Sequence, residues 1–398
     1  MTLDLGSIRR GFPALADGRA YLDGAAGTQT PTSVIEAIAD AYRAGLSNTD
    51  GFFPASHHSG ELVGACRQAV ADLVGGVPEG VVMGPNMTTL TYKFSSLLAR
   101  GWAPGDEIVI SQLEHDGNFR PWVQAAARAG VVVRVAKVDL ESGELPVAQY
   151  QELVGSRTRL VAVSAASNVL GTRPDVRAIC ALAHREGALT YVDGVHATPH
   201  FPIDVKELGA DFYVTSAYKW CGPHLGSLIA APELLEGLRP DKLVPASDRV
   251  PDRFQTGTPP FADYAGVVAA VDHVAGLAGP TPGTRRERVL LGMAAVEEHE
   301  SRLFRVLLDG LDEIEGVTVH GRALRRTPTA YFTVKGWSPD QVADKLAQDG
   351  VNVWSGDNYA YEISQALGLG SAGAVRVGLV HYNDHSDVDR VLAAVAAL

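Results

Sequence analysis

The sequence predicts an α/β protein, a mostly parallel sheet flanked by helices, followed by a smaller C-terminal α+β unit. Three observations lead there. From about residue 60, short β-branched runs alternate with Ala- and Leu-rich helical stretches, and that alternation calls for right-handed crossovers between parallel strands covered on both faces. Near residue 280 the texture changes at GPTPG, and residues 284–311 then read as one long, charged amphipathic helix. At 398 residues the chain also exceeds the size at which one core keeps growing, so a second unit is expected.

Taken in order, the expected strands are 81–83, 107–110, 131–135, 160–163, 189–192 and 212–215. Between them lie helical stretches such as 61–74, 122–129 and 176–186. Beyond the break come strands at 317–319 and 330–334, a helix over 339–348 and a strand around 375–380. The last helix is expected to open at Ser386, with Asp389 as its capping-box partner. Its apolar positions Val388, Val391, Leu392, Val395 and Leu398 follow helical spacing. We place a large domain over residues 16–285 and a small one over 286–398, with residues 1–15 packing on the latter.

Composition narrows the function classes. Apolar residues at 46% and charged residues at 20% exclude a disordered chain. A net charge of −12 argues against nucleic acid, whose phosphates need a basic face. The three cysteines, Cys66, Cys180 and Cys221, form no disulfide or C-x-x-C framework. The N-terminus has no apolar signal segment and no stretch is long enough to span a membrane, so a cytoplasmic protein is expected.

Ligands in such sheets bind beyond the carboxyl ends of the strands. Three strand ends there carry chemistry. EIVI leads into Glu114-His115 in SQLEHDGNF, LTYV runs into Asp193 in YVDGVHATPH, and DFYVT runs into Ser216 and Lys219 in TSAYKWCGPHLG. Singly, each has a plain structural reading: an Asp caps a turn, a Lys is solvated, a lone His packs. Jointly they supply the parts of one site.

The chain resembles the class V aminotransferase or cysteine-desulfurase family, fold-type I enzymes that use pyridoxal 5′-phosphate (PLP). YLDGAAGTQTP, VMGPNMTTLTY, EHDGNFRPW, SAASNVLGT, YVDGVHATPH, SAYKWCGPHLG, FQTGTPP and VRVGLVHYN match the family's signature blocks in order, from residue 21 to 383. The resemblance implies that Lys219 holds PLP as an imine and then moves protons. It implies that Asp193 pairs with the pyridine nitrogen and that His115 stacks on the ring. Asn168, and His196 where desulfurases usually carry Gln, would bond the phenolic oxygen. The backbone of Met87, with Thr88 and Ser216, suits the phosphate at a helix N-terminus. Tyr218 stands where the family has His, so its contact with the cofactor differs. Thr258 would reach the phosphate of a partner subunit, which implies a homodimer. Arg376 would grip the substrate's α-carboxylate with its planar fork.

One departure bears on the reaction. Desulfurases place a catalytic Cys ahead of that Arg, but the segment here reads VNVWSGDNYAYEIS, with Tyr359 about where the Cys belongs. None of the three cysteines replaces it by position, and without a thiolate no enzyme persulfide forms. The branch lacking the Cys resembles PLP enzymes that cleave carbon–sulfur bonds in cysteine conjugates, including those tailoring lincosamide antibiotics. β-Elimination from an S-substituted cysteine is therefore the expected reaction. Decarboxylation-linked oxidative deamination and transamination stay open, because the sequence does not show which substrate bond stands perpendicular to the ring.

Four rival readings fall short. Ser216-Ala-Tyr-Lys219 spells the S-x-x-K of penicillin-binding proteins, but the accompanying S-D-N and K-T-G are missing. Gly368-Leu-Gly370-Ser-Ala-Gly373 spells a dinucleotide fingerprint, yet it precedes a strand instead of opening a helix. His57-His58 and the pair His196 and His200 lack a third metal ligand at sensible spacing, so no metal is expected. A chain carrying the Lys, the Asp and the Arg has no evident reason to be an inert binding module.

Overall fold

Apolar strands that pack on both faces define the large sheet. In the computed structural model, which describes residues 3–398, twelve strands can be followed. They are β1 (Ala20–Tyr21), β2 (Val81–Gly84), β3 (Glu107–Ser111), β4 (Val132–Ala136), β5 (Thr158–Ser164) and β6 (Leu189–Asp193). Then come β7 (Phe212–Ser216), β8 (Gly226–Ala230), β9 (Val317–His320), β10 (Thr329–Val334), β11 (Val351–Asn352) and β12 (Val375–Gly378). Seven form one sheet in the order β2-β8-β7-β6-β5-β3-β4. Every pairing in it is parallel except those made by β8, which runs against both neighbours.

Side chains alternate between two apolar layers, as the two-residue period of a strand requires. Val109, Val161, Val163 and Val192 point into a layer with the helices Pro54–Val74, Val176–Arg185 and Phe261–Gly276. Ile108, Ile110, Leu160 and Ala162 point into the other, against Met87–Leu98 and Arg120–Ala129. Edge strand β4 alternates exposed and partly buried residues.

Strand β8 is absent from the sequence expectation. Its GSLIA opens on Gly and Ser, which dilute the apolar signal. The Gly is required by packing, since a Cβ at Gly226 would sit 2.7 Å from the Met87 amide.

Towards the C-terminus, β12, β10 and β9 form an antiparallel sheet. The helices Arg285–Glu313, Pro339–Gln348 and His385–Ala396 contribute to the apolar core beside it. The long helix begins one residue past Thr284, which with Glu287 makes a capping box. The cap of the last helix is a correction: it is Asp384 with Asp387, not Ser386 with Asp389. The Asp384 carboxylate accepts from the amides of Ser386 and Asp387, and the Ser386 hydroxyl donates to the same oxygen. Of the described residues before β1, Arg9 donates to the Tyr382 carbonyl and to Asp387, both at 2.9 Å, while Leu3 lies in the core of the large sheet. Among the described residues no helix is long and apolar enough to cross a membrane.

Candidate active site

The parallel strands β3, β5, β6 and β7 end on one side of the sheet, and their carboxyl ends deliver the candidate residues. Past β3, Glu114 is buried and accepts four bonds. They come from the Ser111 hydroxyl (2.6 Å), the Ser164 hydroxyl (2.6 Å), the Ser164 amide (3.0 Å) and the Asn118 amide group (2.6 Å). Burial raises its carboxyl above the usual range. This residue pins the loop that carries His115. The His115 Nδ1 accepts from the Gly117 amide at 2.9 Å, which leaves the ring's proton on Nε2. Burial, with the charges of Lys219 and Arg376, pushes its pKa down to about 3, so the ring is neutral at ordinary pH.

Asp193 closes β6. Its Oδ1 accepts from the Val195 amide at 2.9 Å, and burial pushes its pKa up to about 7. At the end of β7 the Ser216 hydroxyl accepts from the Met87 amide at 3.1 Å. Met87 is the first residue of the helix Met87–Leu98, which Asn86 caps through the Thr89 amide. Thr88 lies in that first turn, where amides have no carbonyl four residues back. A Cβ on Gly117 would meet both the Thr88 Oγ1 (2.8 Å) and the His115 Nδ1 (3.0 Å), so these three converge.

Lys219 is buried, and its ammonium donates to the carbonyls of Ala25 (2.5 Å) and Ala26 (2.8 Å). Desolvation pushes its pKa down to about 7. The two carbonyls went unnoticed in sequence because backbone acceptors have no side-chain signature. Lys219 lies 5.2 Å from the centre of the Tyr218 ring, which itself stacks on His224 at 4.7 Å.

Arg376 comes from β12 and crosses to this side, donating to the Asn168 carbonyl at 3.1 Å. It is buried, its pKa is lowered to about 10, and the Asp23 carboxylate acts on it electrostatically. The Asn168 side chain donates to the Asn358 carbonyl at 2.8 Å, and His196 meets the Thr329 hydroxyl at 2.9 Å. Both keep a buried atom with no protein partner, Asn168 Oδ1 and His196 Nδ1, as does Asp23 Oδ1. Unpaired buried polar atoms are costly, and two of these residues feel the site's cations: His196 the charges of Lys219 and Arg376, Asp23 that of Arg376. Those are properties that a polar aromatic cofactor would use.

Tyr359 is mostly exposed and adopts left-handed backbone geometry at φ +59, next to Asn358 at +52. Its ring stacks on His115 at 5.5 Å and its carbonyl accepts from the Asp116 amide. Thr258 stands apart, exposed in the loop before the helix Phe261–Gly276. All three cysteines are buried and free, and burial pushes the Cys180 and Cys221 thiols up to about 12 and Cys66 higher still.

A parallel sheet with a desolvated Lys and Asp at its strand ends has the architecture of the fold-type I PLP enzymes. The family model "Aminotransferase class-V" matches residues 20–391, and the chain belongs to that family. It is 34% identical to a "Probable cysteine desulfurase" of Pseudomonas putida, over 97% of this chain and 96% of the relative. It is also 34% identical to an uncharacterised protein of Mycobacterium tuberculosis, over the full length of both. The cysteine desulfurase CsdA of Escherichia coli superposes with a TM-score of 0.87 at 27% identity, covering 99% of this chain and 98% of that one. The protein is thus a PLP-dependent, cysteine-desulfurase-like enzyme acting on amino acids.

Proposed function

We propose that the enzyme cleaves the carbon–sulfur bond of an S-substituted cysteine by β-elimination, without forming an enzyme persulfide. The carrying observation is the state of its thiols: all three are buried, with pKa values raised, so no nucleophile is available to accept sulfur. Bound PLP supplies an electron sink for charge developing at the substrate's α-carbon. We assign Lys219 to hold it, Asp193 to its ring nitrogen and His115 to its face. Asn168 and His196 would meet its phenolic oxygen, and Met87, Thr88 and Ser216 its phosphate, with Tyr218 alongside. The division into a cofactor-binding domain over residues 16–285 and a small domain over 286–398 belongs to the same reading.

In this assignment Arg376 clamps the substrate carboxylate, its guanidinium having no ion-pair partner among the described residues. Lys219, its pKa lowered to about 7 by desolvation, takes the α-proton at Nζ in its neutral form. The β-carbon–sulfur bond then breaks with its electron pair leaving on sulfur, as a thiolate that takes up a proton. The three-carbon remainder adds water and departs as pyruvate and ammonia. Tyr359, stacked on His115, walls the entrance and keeps water from the reacting atoms. Thr258 reaches a partner's phosphate in a homodimer, which its exposed position permits.

Incubation with a panel of S-substituted cysteines tests this reading. Equimolar thiol and pyruvate without CO₂ or oxygen uptake are expected. CO₂ release with oxygen consumption would replace it by decarboxylation-linked oxidation, and persulfide on the enzyme would refute it. Sedimentation of the holoenzyme should show a dimer; a fully active monomer would overturn the Thr258 assignment.

A further inference from the structure

Behind the cofactor lysine lies a cluster that the reaction does not use. Cys221, two residues past Lys219, is buried and held in left-handed geometry at φ +69, a conformation costly for a residue with a side chain. Its amide is fixed by the Thr28 Oγ1 at 2.8 Å. Ligand atoms of Cys221, His273 and His381 all lie within 4.8 Å of one another. His273 belongs to the helix Phe261–Gly276, and His381 follows β12. The two Nε2 atoms face each other at 3.1 Å, and the Phe12 ring packs against both imidazoles at 5.3 and 5.7 Å.

We propose that Cys221, His273 and His381 form a site for a zinc ion. Tetrahedral zinc with Zn–N near 2.0–2.1 Å and Zn–S near 2.3 Å places its ligand atoms roughly 3.3–3.6 Å apart, close to the separation of the two nitrogens here. Thiolate and imidazole donors select zinc over the hard cations calcium and magnesium. Binding would expel the Cys221 thiol proton to solvent, since zinc takes the thiolate. Three protein ligands leave the fourth position to a water molecule on the side of the half-buried His273. Such an ion would fasten the Lys219 loop, a helix of the large sheet and the segment after β12 to one another. The competing account of the 3.1 Å contact is a simple N–H···N bond between two neutral rings.

The test uses tag-free holoenzyme, stripped with chelator, titrated with zinc chloride, desalted and analysed for metal by mass spectrometry. About one zinc per chain and a raised melting temperature are expected. Cys221→Ser and His273→Asn should lose both effects while keeping the visible absorbance of bound cofactor. His273 is half-buried, so its variant decides the matter should Cys221→Ser fail to fold. A wild-type protein that retains less than a tenth of an equivalent, or a His273→Asn variant that retains as much as wild type, overturns the site.

Discussion

Two glutamates near opposite ends of β3 live in contrasting surroundings. Glu107 opens the strand and accepts from Arg134 at 3.0 Å and Arg157 at 2.7 Å, whose side chains are 45% and 66% exposed. Those guanidinium groups hold its carboxyl below the usual range. Glu114, three residues past the strand, has four uncharged donors and no cation, and burial raises its pKa. One residue type thus ties two exposed arginines to the amino end of the strand and serves as a dry support at the carboxyl end. The same desolvation moves His115, Asp193, Lys219 and Arg376 from their ordinary values, and such displaced groups gather where chemistry occurs.

The contrast should fail most visibly when the dry end loses its base. Lys219→Ala should lower turnover by roughly a thousandfold or more, and borohydride should no longer fix cofactor to the protein. An adduct mapped to a different Lys would refute the assignment. Arg376→Ala should cost on the order of a hundredfold in kcat/KM for a carboxylate-bearing substrate. Efficiency within about twofold of wild type would place the carboxylate elsewhere.

Paired substitutions on β3 compare its ends directly. Glu114→Gln turns an amide N–H₂ towards existing donors and should cost about 1–3 kcal/mol in denaturant unfolding, with weaker cofactor retention. Glu107→Gln should cost under about 1 kcal/mol, and less in high salt, because its partners are solvated. Equal costs would dissolve the distinction.

The subtlest readout is a pH signature in the cofactor-free protein. Asp193 has its pKa raised from 3.8 to about 7, so between those values the folded state holds a proton that the unfolded state has released. Its contribution to stability is complete below pH 3.8 and is lost as pH rises through 7. Asp193→Asn keeps a neutral group at all pH values. Its melting temperature relative to wild type should therefore rise from pH 4 to 7 and level off above. A flat difference would show that Asp193 is ionised throughout.

Much of this was legible in the chain alone. Strand and helix alternation, the break near 280 and the strand-end residues Asp193, Ser216 and Lys219 are local patterns, and local propensity and period carry them. The class of cofactor followed from the ordered motif blocks, and the family match over residues 20–391 agrees. Non-local packing decided the rest. Glu114 reads as an ordinary surface acid until Ser111, Asn118 and Ser164 enclose it. Strand β8 is held by the close approach of Gly226 to the helix at Met87, which its own composition does not reveal. The last helix chose Asp384 over Ser386 because a cap requires extended geometry just before the first turn, and Asp384 has it. Lys219 acquired its two carbonyl acceptors, and Cys221 its two histidines, only when segments far apart in the chain were folded together. Periodicity reports which face of an element is apolar; which polar atoms are then shut away from water is decided by the tertiary contacts.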